Sequence, residues 1–364
     1  MSATFGVTGE PSWKQNPVPT IQNTPQPPTH PSQATTRQFS RNDPVTNDGE
    51  PSAPPRHTEA GNTRPLGAVE NQAAHTGLPV GVDPEPNLES ALEGIPAEHV
   101  HSFTTVEQVL GIIAETQSSQ NDVFCPYLAF LNTPVDGLHS FDSVQSAGIR
   151  KQYFESTHVL IIKLPSGPHE TVTAGVRNCI NRNAVLMGGV DRELSDIGSK
   201  TYKPTRTIYS DSCKEGDEGI LPHQRRGGQG SWPTLIFETG VSEALGRLQQ
   251  DARWWFEQSN HSVHAVIVSH VLCDERIIDL EIWRMQPIQH PRPATRSNTF
   301  LEPRCDHRLR IDCSTTPATT TGAVPFFIIS FEALVLRPRA ENETDFLLTQ
   351  QDIEYIATVF RASL

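Results

Sequence analysis

Two acidic residues near the middle of the chain are of the type and spacing that could hold a divalent metal ion. Asp217 closes the short polar stretch Lys214-Glu-Gly-Asp217, and Glu238 lies 21 residues later at the end of an apolar run. Mg²⁺ prefers oxygen ligands and is often held by one or two carboxylates. With a nearby cation, such a site can hydrolyse a phosphodiester. Lys214, Arg247 and Arg253 are the candidate cations, and Mn²⁺ is an alternative metal. An acid pair of this spacing also has a plain structural interpretation.

A strand and a helix are predicted to position Glu238. Residues 234–239 are apolar on both faces, which is typical of a central strand. Residues 241–258 follow with apolar side chains at helical spacing, which predicts an amphipathic helix. The apolar stripe consists of Leu245, Leu248, Ala252, Trp255 and Phe256. Arg247 and Asp251 fall outside the stripe, and Asp251 and Arg253 are therefore expected to lie in solvent or to pair locally.

A third acidic residue, Glu170, begins another predicted helix. Residues 159–164 form a β-branched run that ends in Pro165-Ser-Gly-Pro168 and so predicts a strand and a turn. Val172, Val176, Ile180 and Ala184 then recur four residues apart. A carboxylate in the first turn of a helix is favoured by the helix dipole, so the simplest interpretation of Glu170 is a helix-start acid.

The remaining patterns complete an α/β domain. Helices are predicted over 103–114 and from a cap at Thr349, and strands are predicted over 263–271, 277–283 and 325–331. One mixed central sheet flanked by helices accounts for this order of elements most economically. The predicted parts are a helical or irregular extension (96–154), a core (155–285), a loop or linker (286–323) and a C-terminal strand and helix that pack on the core (324–364).

The first 95 residues are predicted to be a disordered tail. Sixteen of the 30 prolines lie within residues 1–100, among small and polar side chains. Such a segment cannot bury enough apolar surface to offset the entropy lost on ordering. Proline-rich stretches such as 25–28 can adopt an extended polyproline conformation, which leaves open an interaction protein that acts through this tail, with an unknown protein partner.

Charge and cysteine usage restrict the location and the partners. The net charge is −13, with 29 basic and 42 acidic residues, which argues against a broad phosphate-binding face but permits a small basic groove. The six cysteines show no paired framework, and neither a secretory leader nor a membrane span is predicted. We therefore expect an intracellular protein, cytoplasmic or nuclear, that is neither secreted nor membrane-bound.

Several of these motifs together resemble a known group. They are Pro165-Ser-Gly-Pro-His-Glu170 before a helix, Lys214-Glu-Gly-Asp217, the run from Pro233 through Glu238-Thr-Gly240 to Glu243, and Asp251-Ala-Arg-Trp-Trp255. The combination resembles uncharacterised fungal proteins that are similar in turn to the restriction-endonuclease-like PD-(D/E)XK nuclease superfamily. The resemblance covers residues 155–285.

The resemblance implies a helix-flanked mixed sheet in which Glu170, Asp217 and Glu238 bind metal and act on nucleic acid. Gly240 stands where the superfamily pattern has lysine, and Gly216 stands where it usually has proline. Members of the superfamily can supply the missing cation from the following helix, which would nominate Arg253 or Arg247. The alternative is a catalytically inactive module that keeps the fold and binds nucleic acid or protein.

Overall fold

The structure is a computed structural model, and it describes residues 85–119, 127–144, 148–205, 208–228, 230–241, 245–288 and 301–364. The predicted disordered tail falls almost entirely on residues 1–84, which lie outside the described residues. The part that is described, 85–95, contradicts the predicted boundary at residue 95, because it contains the helix α1 (Leu88–Ala91). The buried Ala91 carbonyl of α1 accepts a hydrogen bond from Arg247.

Seven helices and fifteen strands are formed within the described ranges. After α1, the helices are α2 (Val106–Ser119), α3 (Val135–Val144), α4 (Gly167–Leu186), α5 (Leu245–Gln258), α6 (Phe331–Val335) and α7 (Gln350–Ala362). The strands are β1 (Val100–Ser102), β2 (Tyr127–Leu131), β3 (Arg150–Phe154), β4 (Val159–Lys163), β5 (Ser195–Asp196), β6 (Thr201–Tyr202), β7 (Cys213–Glu215), β8 (Glu218–Leu221), β9 (Leu235–Val241), β10 (Ala265–Leu272), β11 (Ile277–Pro287), β12 (Leu301–Asp312), β13 (Thr319–Thr321), β14 (Phe326–Ile329) and β15 (Phe346–Leu348).

The α/β class with mixed sheets and flanking helices is confirmed, but the strands are divided between two large sheets and a short pair. The first sheet has the order β1-β2-β4-β3-β7-β6, and only β1 and β2 are parallel. The second has the order β13-β12-β11-β10-β9-β8-β5, with β9 and β10 parallel. The predicted extension over 96–154 contributes three strands to the first sheet.

The prediction of a loop or linker over residues 286–323 is wrong for the part of this range that the structure describes. β11 runs on to Pro287, and β12 and β13 continue the second sheet. β12 pairs with β11 along its whole length, with one register shift. Its composition is rich in arginine and polar residues, and much of it is exposed, so it lacks the apolar alternation that reveals a strand in sequence.

Helices α4 and α5 pack on opposite faces of β9 and β10. One core cluster joins α4 and α7 to residues such as Phe237 and Ile267, and another joins α5 to Ile236 and Val268. The alternation of side chains along a strand sends these neighbours to opposite faces. The run around Glu238 is therefore apolar on both faces because both are covered.

None of the helices within the described ranges is long and apolar enough to cross a membrane.

Candidate active site

The structure brings Asp217 and Glu238 into one buried cluster. Asp217 lies in the turn between β7 and β8, and Glu238 lies in the middle of β9. Asp217 is 4% exposed and Glu238 is 1% exposed. The backbone N–H of Thr239 donates to Asp217 Oδ2 at 2.7 Å, so strand β9 fixes both carboxylates.

Gly216, which precedes Asp217, is needed for close packing. A Cβ atom at this position would lie 3.0 Å from Cζ2 of Trp255, which is buried beneath the turn. The indole N–H of Trp255 donates to Glu238 Oε1 at 2.6 Å. The absence of a side chain at Gly216 therefore lets α5 bring Trp255 against Glu238.

Lys163, at the end of β4, links the two carboxylates. Its ammonium nitrogen lies 2.7 Å from Asp217 Oδ2 and 3.7 Å from Glu238 Oε2. Its side chain is 5% exposed, so the three charges interact with little screening by water. The first sheet thus supplies a lysine to acids that are fixed by the second sheet. This lysine was not among the predicted cations.

Lys214, which was predicted as a candidate cation, also belongs to the cluster. Its ammonium lies 2.9 Å from Asp251 Oδ1 and 3.5 Å from Glu238 Oε1. Asp251 is buried on α5 and so does not lie in solvent, but the expected alternative, a local pair, is present, because Arg247 lies 3.5 Å away one turn earlier on the helix. A buried carboxylate is tolerated where buried cations pair with it, and here Lys214 is the nearer of the two.

His169, Arg150 and Glu170 lie on the α4 side of Asp217. His169 Nε2 is 3.1 Å from Asp217 Oδ2, and Arg150 Nε is 3.9 Å from Asp217 Oδ1. Arg150 also donates to Glu170 Oε1 at 3.1 Å. Glu170 lies in the first turn of α4, as predicted, but its side chain is 54% exposed. Arg150 therefore connects an exposed acid to a buried one.

The two arginines of α5 are placed away from the carboxylate pair. Arg247 is buried, although it lies outside the predicted apolar stripe, and it donates to the Ala91 carbonyl and to Gln152 Oε1, each at 2.7 Å. Arg253 is exposed, and its guanidinium carbon lies 5.6 Å from the centre of the Trp283 ring. Neither guanidinium takes the place of the missing lysine at Gly240. Lys163 and Lys214 carry the positive charge beside Glu238.

The surroundings separate the pKa values of the two acids. For Asp217, burial favours the neutral form, but the charges of His169 and Lys163 outweigh it and hold the pKa well below its usual range. For Glu238, burial raises the pKa from 4.5 to about 7, with the negative charges of Asp217 and Asp251 adding to the effect. Opposite shifts in neighbouring carboxyls are typical of sites with distinct acid and base roles.

The raised pKa of Glu238 predicts a pH-dependent stability. A native acid that binds its proton more tightly than the unfolded chain stabilises the protein below its unfolded pKa of 4.5, and this stabilisation is lost as pH rises through about 7. Glu238→Gln removes the effect. Between pH 5 and pH 8 we expect the parent to lose about 2–3 kcal/mol more stability than the variant. Urea unfolding at both pH values measures this difference, and parallel losses in the two proteins would contradict it.

The oxygens of Asp217 and Glu238 are of the type that Mg²⁺ or Mn²⁺ prefers, and both carboxylates lie beside the Lys163 ammonium. Asp217 Oδ1 is buried and accepts no hydrogen bond, and its ion pair with Arg150 Nε is long, at 3.9 Å, so its capacity as an acceptor is largely unused. Glu238 Oε2 lies 3.7 Å from the Lys163 ammonium, which is too far for a hydrogen bond. Within the described ranges, no group of three or more His, Cys, Asp or Glu residues could hold a metal. Magnesium does not require such a group, because it usually keeps several waters and takes one or two carboxylates.

The space beside Glu238 is small. A cavity of about 10 Å³ is lined by residues that include Lys163, Lys214, Gln152 and Glu238. This is roughly the volume that one water molecule needs. A nucleic-acid backbone would require these side chains to move in order to reach Glu238.

No family model matches the chain, and no curated protein matches it. Among solved structures, it is similar to a protein from Anabaena variabilis that is described as a "putative nuclease belonging to DUF820". The two are 11% identical, the match covers 61% of this chain and 98% of that chain, and the TM-score is 0.35. A likeness at this level carries no argument about the site.

Proposed function

We propose that this chain is a nuclease-like protein of the PD-(D/E)XK type that hydrolyses nucleic acid phosphodiesters with Mg²⁺ or Mn²⁺. The observation that carries the proposal is the Lys163 ammonium shared by Asp217 and Glu238. Aspartate, glutamate and lysine are the side chains that the superfamily pattern combines. Here Lys163, on β4 of the first sheet, supplies the lysine that is missing at position 240.

Asp217 and Glu238 are the residues that would hold the metal. Asp217 Oδ1 accepts no hydrogen bond and has only a long ion pair with Arg150 Nε, at 3.9 Å, and the low pKa of Asp217 keeps it ionised at neutral pH. When bound, the metal would lower the pKa of a water molecule and offset negative charge on the phosphate. Two protein features compete with metal binding: the proton that Glu238 binds near neutrality and the nearby lysines. We therefore expect the metal to bind more tightly as pH rises through 7.

The chain's own cations have separate roles in the proposal. Lys163 orients both carboxylates and would stabilise negative charge that develops on the phosphate. Lys214 holds Glu238 and Asp251, and it is the second candidate cation. Arg150 keeps Glu170 at the exposed side of the cluster, where Glu170 would assist in orienting water. Arg247 and Arg253 are left outside this chemistry.

A cleavage assay tests the proposal. Labelled single- and double-stranded DNA and RNA are incubated with the protein and Mg²⁺ or Mn²⁺, with EDTA as the control. We expect metal-dependent cleavage that falls at least about 100-fold in Asp217→Asn and Glu238→Gln. Absence of cleavage by the folded parent on every substrate, or equal cleavage by parent and variants, would overturn the proposal.

Glu281→Gln is the matched control variant. Glu281 is also a buried glutamate on the second sheet, and it also accepts from a tryptophan, since Trp283 Nε1 lies 2.8 Å from its Oε2. Its other partners are Gln249 and Arg308, outside the cluster. We expect Glu281→Gln to cleave within about threefold of the parent. A loss equal to that of Glu238→Gln would assign the effect to general damage of the sheet.

A catalytically inactive module that binds nucleic acid or protein is the second candidate. It is favoured by the cavity of about 10 Å³ and by the two lysines that already neutralise the acids. In that case Asp217 and Glu238 would serve stability alone. Their variants would change unfolding without any cleavage to lose, so the same assay separates the candidates. The interaction role of the proline-rich tail concerns residues outside the described ranges.

A further inference from the structure

A cavity of about 300 Å³ lies between α1 and α5, beside the carboxylate cluster. Its volume is at the lower end of the range for small-molecule sites, which is ~300–1,000 Å³. Buried residues such as Gln152, Arg247 and Asp251 line it together with the exposed Glu93 and Glu257. Two aromatic residues, Phe154 and Trp254, also line it.

Gln152 connects this cavity to the proposed active site. It lines both the larger cavity and the small one beside Glu238. Arg247 fixes Gln152 by donating to its Oε1 at 2.7 Å, and Arg247 also lies 3.5 Å from Asp251. Asp251 is in turn held by Lys214, which reaches Glu238. The cavity is therefore linked to Glu238 through Gln152 and through the pair of Asp251 with Lys214.

A buried donor in the lining has no partner. Arg247 is 2% exposed, and its two terminal nitrogens are used by Ala91 and Gln152, but Nε makes no hydrogen bond. An unsatisfied buried donor is unfavourable, more so when it is charged. Because Nε is itself buried, an acceptor atom of a ligand would satisfy it only with a shift of the Arg247 side chain.

The charges in the lining select against a phosphate. Three carboxylates (Glu93, Asp251 and Glu257) are accompanied by two guanidiniums (Arg247 and Arg253). Carboxylates accept hydrogen bonds from amino groups and repel phosphate oxygens. The aromatic side chains suit a flat ring. The favoured occupant is a neutral planar heterocycle that bears both an amino donor and a ring or carbonyl acceptor.

We propose that this cavity receives an unpaired, amino-bearing nucleobase (adenine, cytosine or guanine) of the nucleic acid that Asp217 and Glu238 act on. The inference rests on the proposed function, because it identifies the base as a neighbour of the scissile phosphodiester. A base can enter only when it is unpaired, so the substrate is single-stranded or has a base turned out of the duplex. Thymine and uracil lack the amino group and are discriminated against.

Oligonucleotide binding tests the inference without relying on cleavage. Fluorescein-labelled dC8, dA8 and dT8 are titrated against the full chain in EDTA, and anisotropy is measured. We expect dC8 and dA8 to bind about 10-fold more tightly than dT8, in line with the 1–3 kcal/mol that good base contacts supply. Equal affinities for the three oligonucleotides would overturn the inference.

Ser90→Trp fills the cavity from α1, and Ser118→Trp adds the same bulk at an exposed position of α2. The preference for dC8 over dT8 should vanish in Ser90→Trp and persist in Ser118→Trp. A preserved preference in a folded Ser90→Trp would contradict the inference. Glu257→Gln is a milder second variant, which removes one acceptor charge at an exposed position and should weaken the preference severalfold.

Free nucleosides separate this inference from the proposed function. Cytidine is expected to quench tryptophan fluorescence saturably, and thymidine is expected to have little effect, because Trp254 lines the cavity. If no cleavage is found but the cytidine preference and its loss in Ser90→Trp are observed, the base site is supported and the nuclease role is refuted. If cleavage is found but neither the nucleosides nor the oligonucleotides show a preference, the base site is refuted and the nuclease role is not.

Discussion

Asp217→Asn is expected to lower the free energy of unfolding by about 3–5 kcal/mol, the cost of removing one partner from a buried ion pair. The asparagine keeps the shape of the side chain but removes its charge. Lys163, whose side chain is 5% exposed, then loses its charged partner at 2.7 Å, and the carboxylate of Glu238 lies farther away, at 3.7 Å. Urea unfolding at pH 7 in EDTA measures the loss.

Asp279→Asn is the control for this effect. Asp279 accepts two hydrogen bonds from Arg310 at 2.7 Å each, so its ion pair has better geometry than that of Asp217. The side chain of Arg310 is 54% exposed, however, and solvent-exposed pairs contribute only about 0–1 kcal/mol. If the two variants were equally stable, the cluster would not be the desolvated charge network described above.

Lys163→Met is expected to reduce the cleavage rate at least about 100-fold, with a much smaller change in oligonucleotide affinity. The reason is position: Lys163 is shared by the two proposed metal ligands, whereas the shortest contact of Lys214 is with Asp251. Lys214→Met should therefore lose less activity than Lys163→Met. Single-turnover cleavage at saturating enzyme separates the rate from the affinity.

Lys203→Met controls for the loss of a positive charge. Lys203 pairs with Asp211 at 3.4 Å, and its side chain is 59% exposed, so the variant should retain the parental cleavage rate. A larger loss in Lys214→Met than in Lys163→Met would show that the catalytic cation is Lys214 on β7 and not Lys163 on β4. Equal rates in Lys163→Met and Lys203→Met would remove Lys163 from the proposed chemistry.

Local patterns predict the elements that hold the site. The four-residue spacing from Val172 to Ala184 corresponds to α4, and the stripe from Leu245 to Phe256 corresponds to α5. The cap at Thr349 is confirmed by its reciprocal hydrogen bonds with Asp352. These features depend on interactions between residues a few positions apart, so short stretches of sequence are enough to predict them.

Short stretches of sequence do not show which charged residues pair with each other across the fold. Lys163 is an apparently ordinary lysine at the end of an apolar run, and its partner Asp217 is 54 residues away. Arg247 and Asp251 look like the solvent face of α5, yet both are buried because α1 and Lys214 supply their partners. The available signals were a lysine that directly follows a buried β-branched run and a histidine, His169, beside Glu170. Neither identifies its partner.

Manganese binding tests the central claim most directly. The full chain is titrated with Mn²⁺ at pH 8 in the absence of nucleic acid, and the free ion is followed by electron paramagnetic resonance. We predict saturable binding that is lost in Asp217→Asn and Glu238→Gln, under conditions in which both variants are folded, and that is retained in Glu281→Gln. Absence of saturable binding to the parent, or undiminished binding to the first two variants, would contradict the assignment of Asp217 and Glu238 as metal ligands.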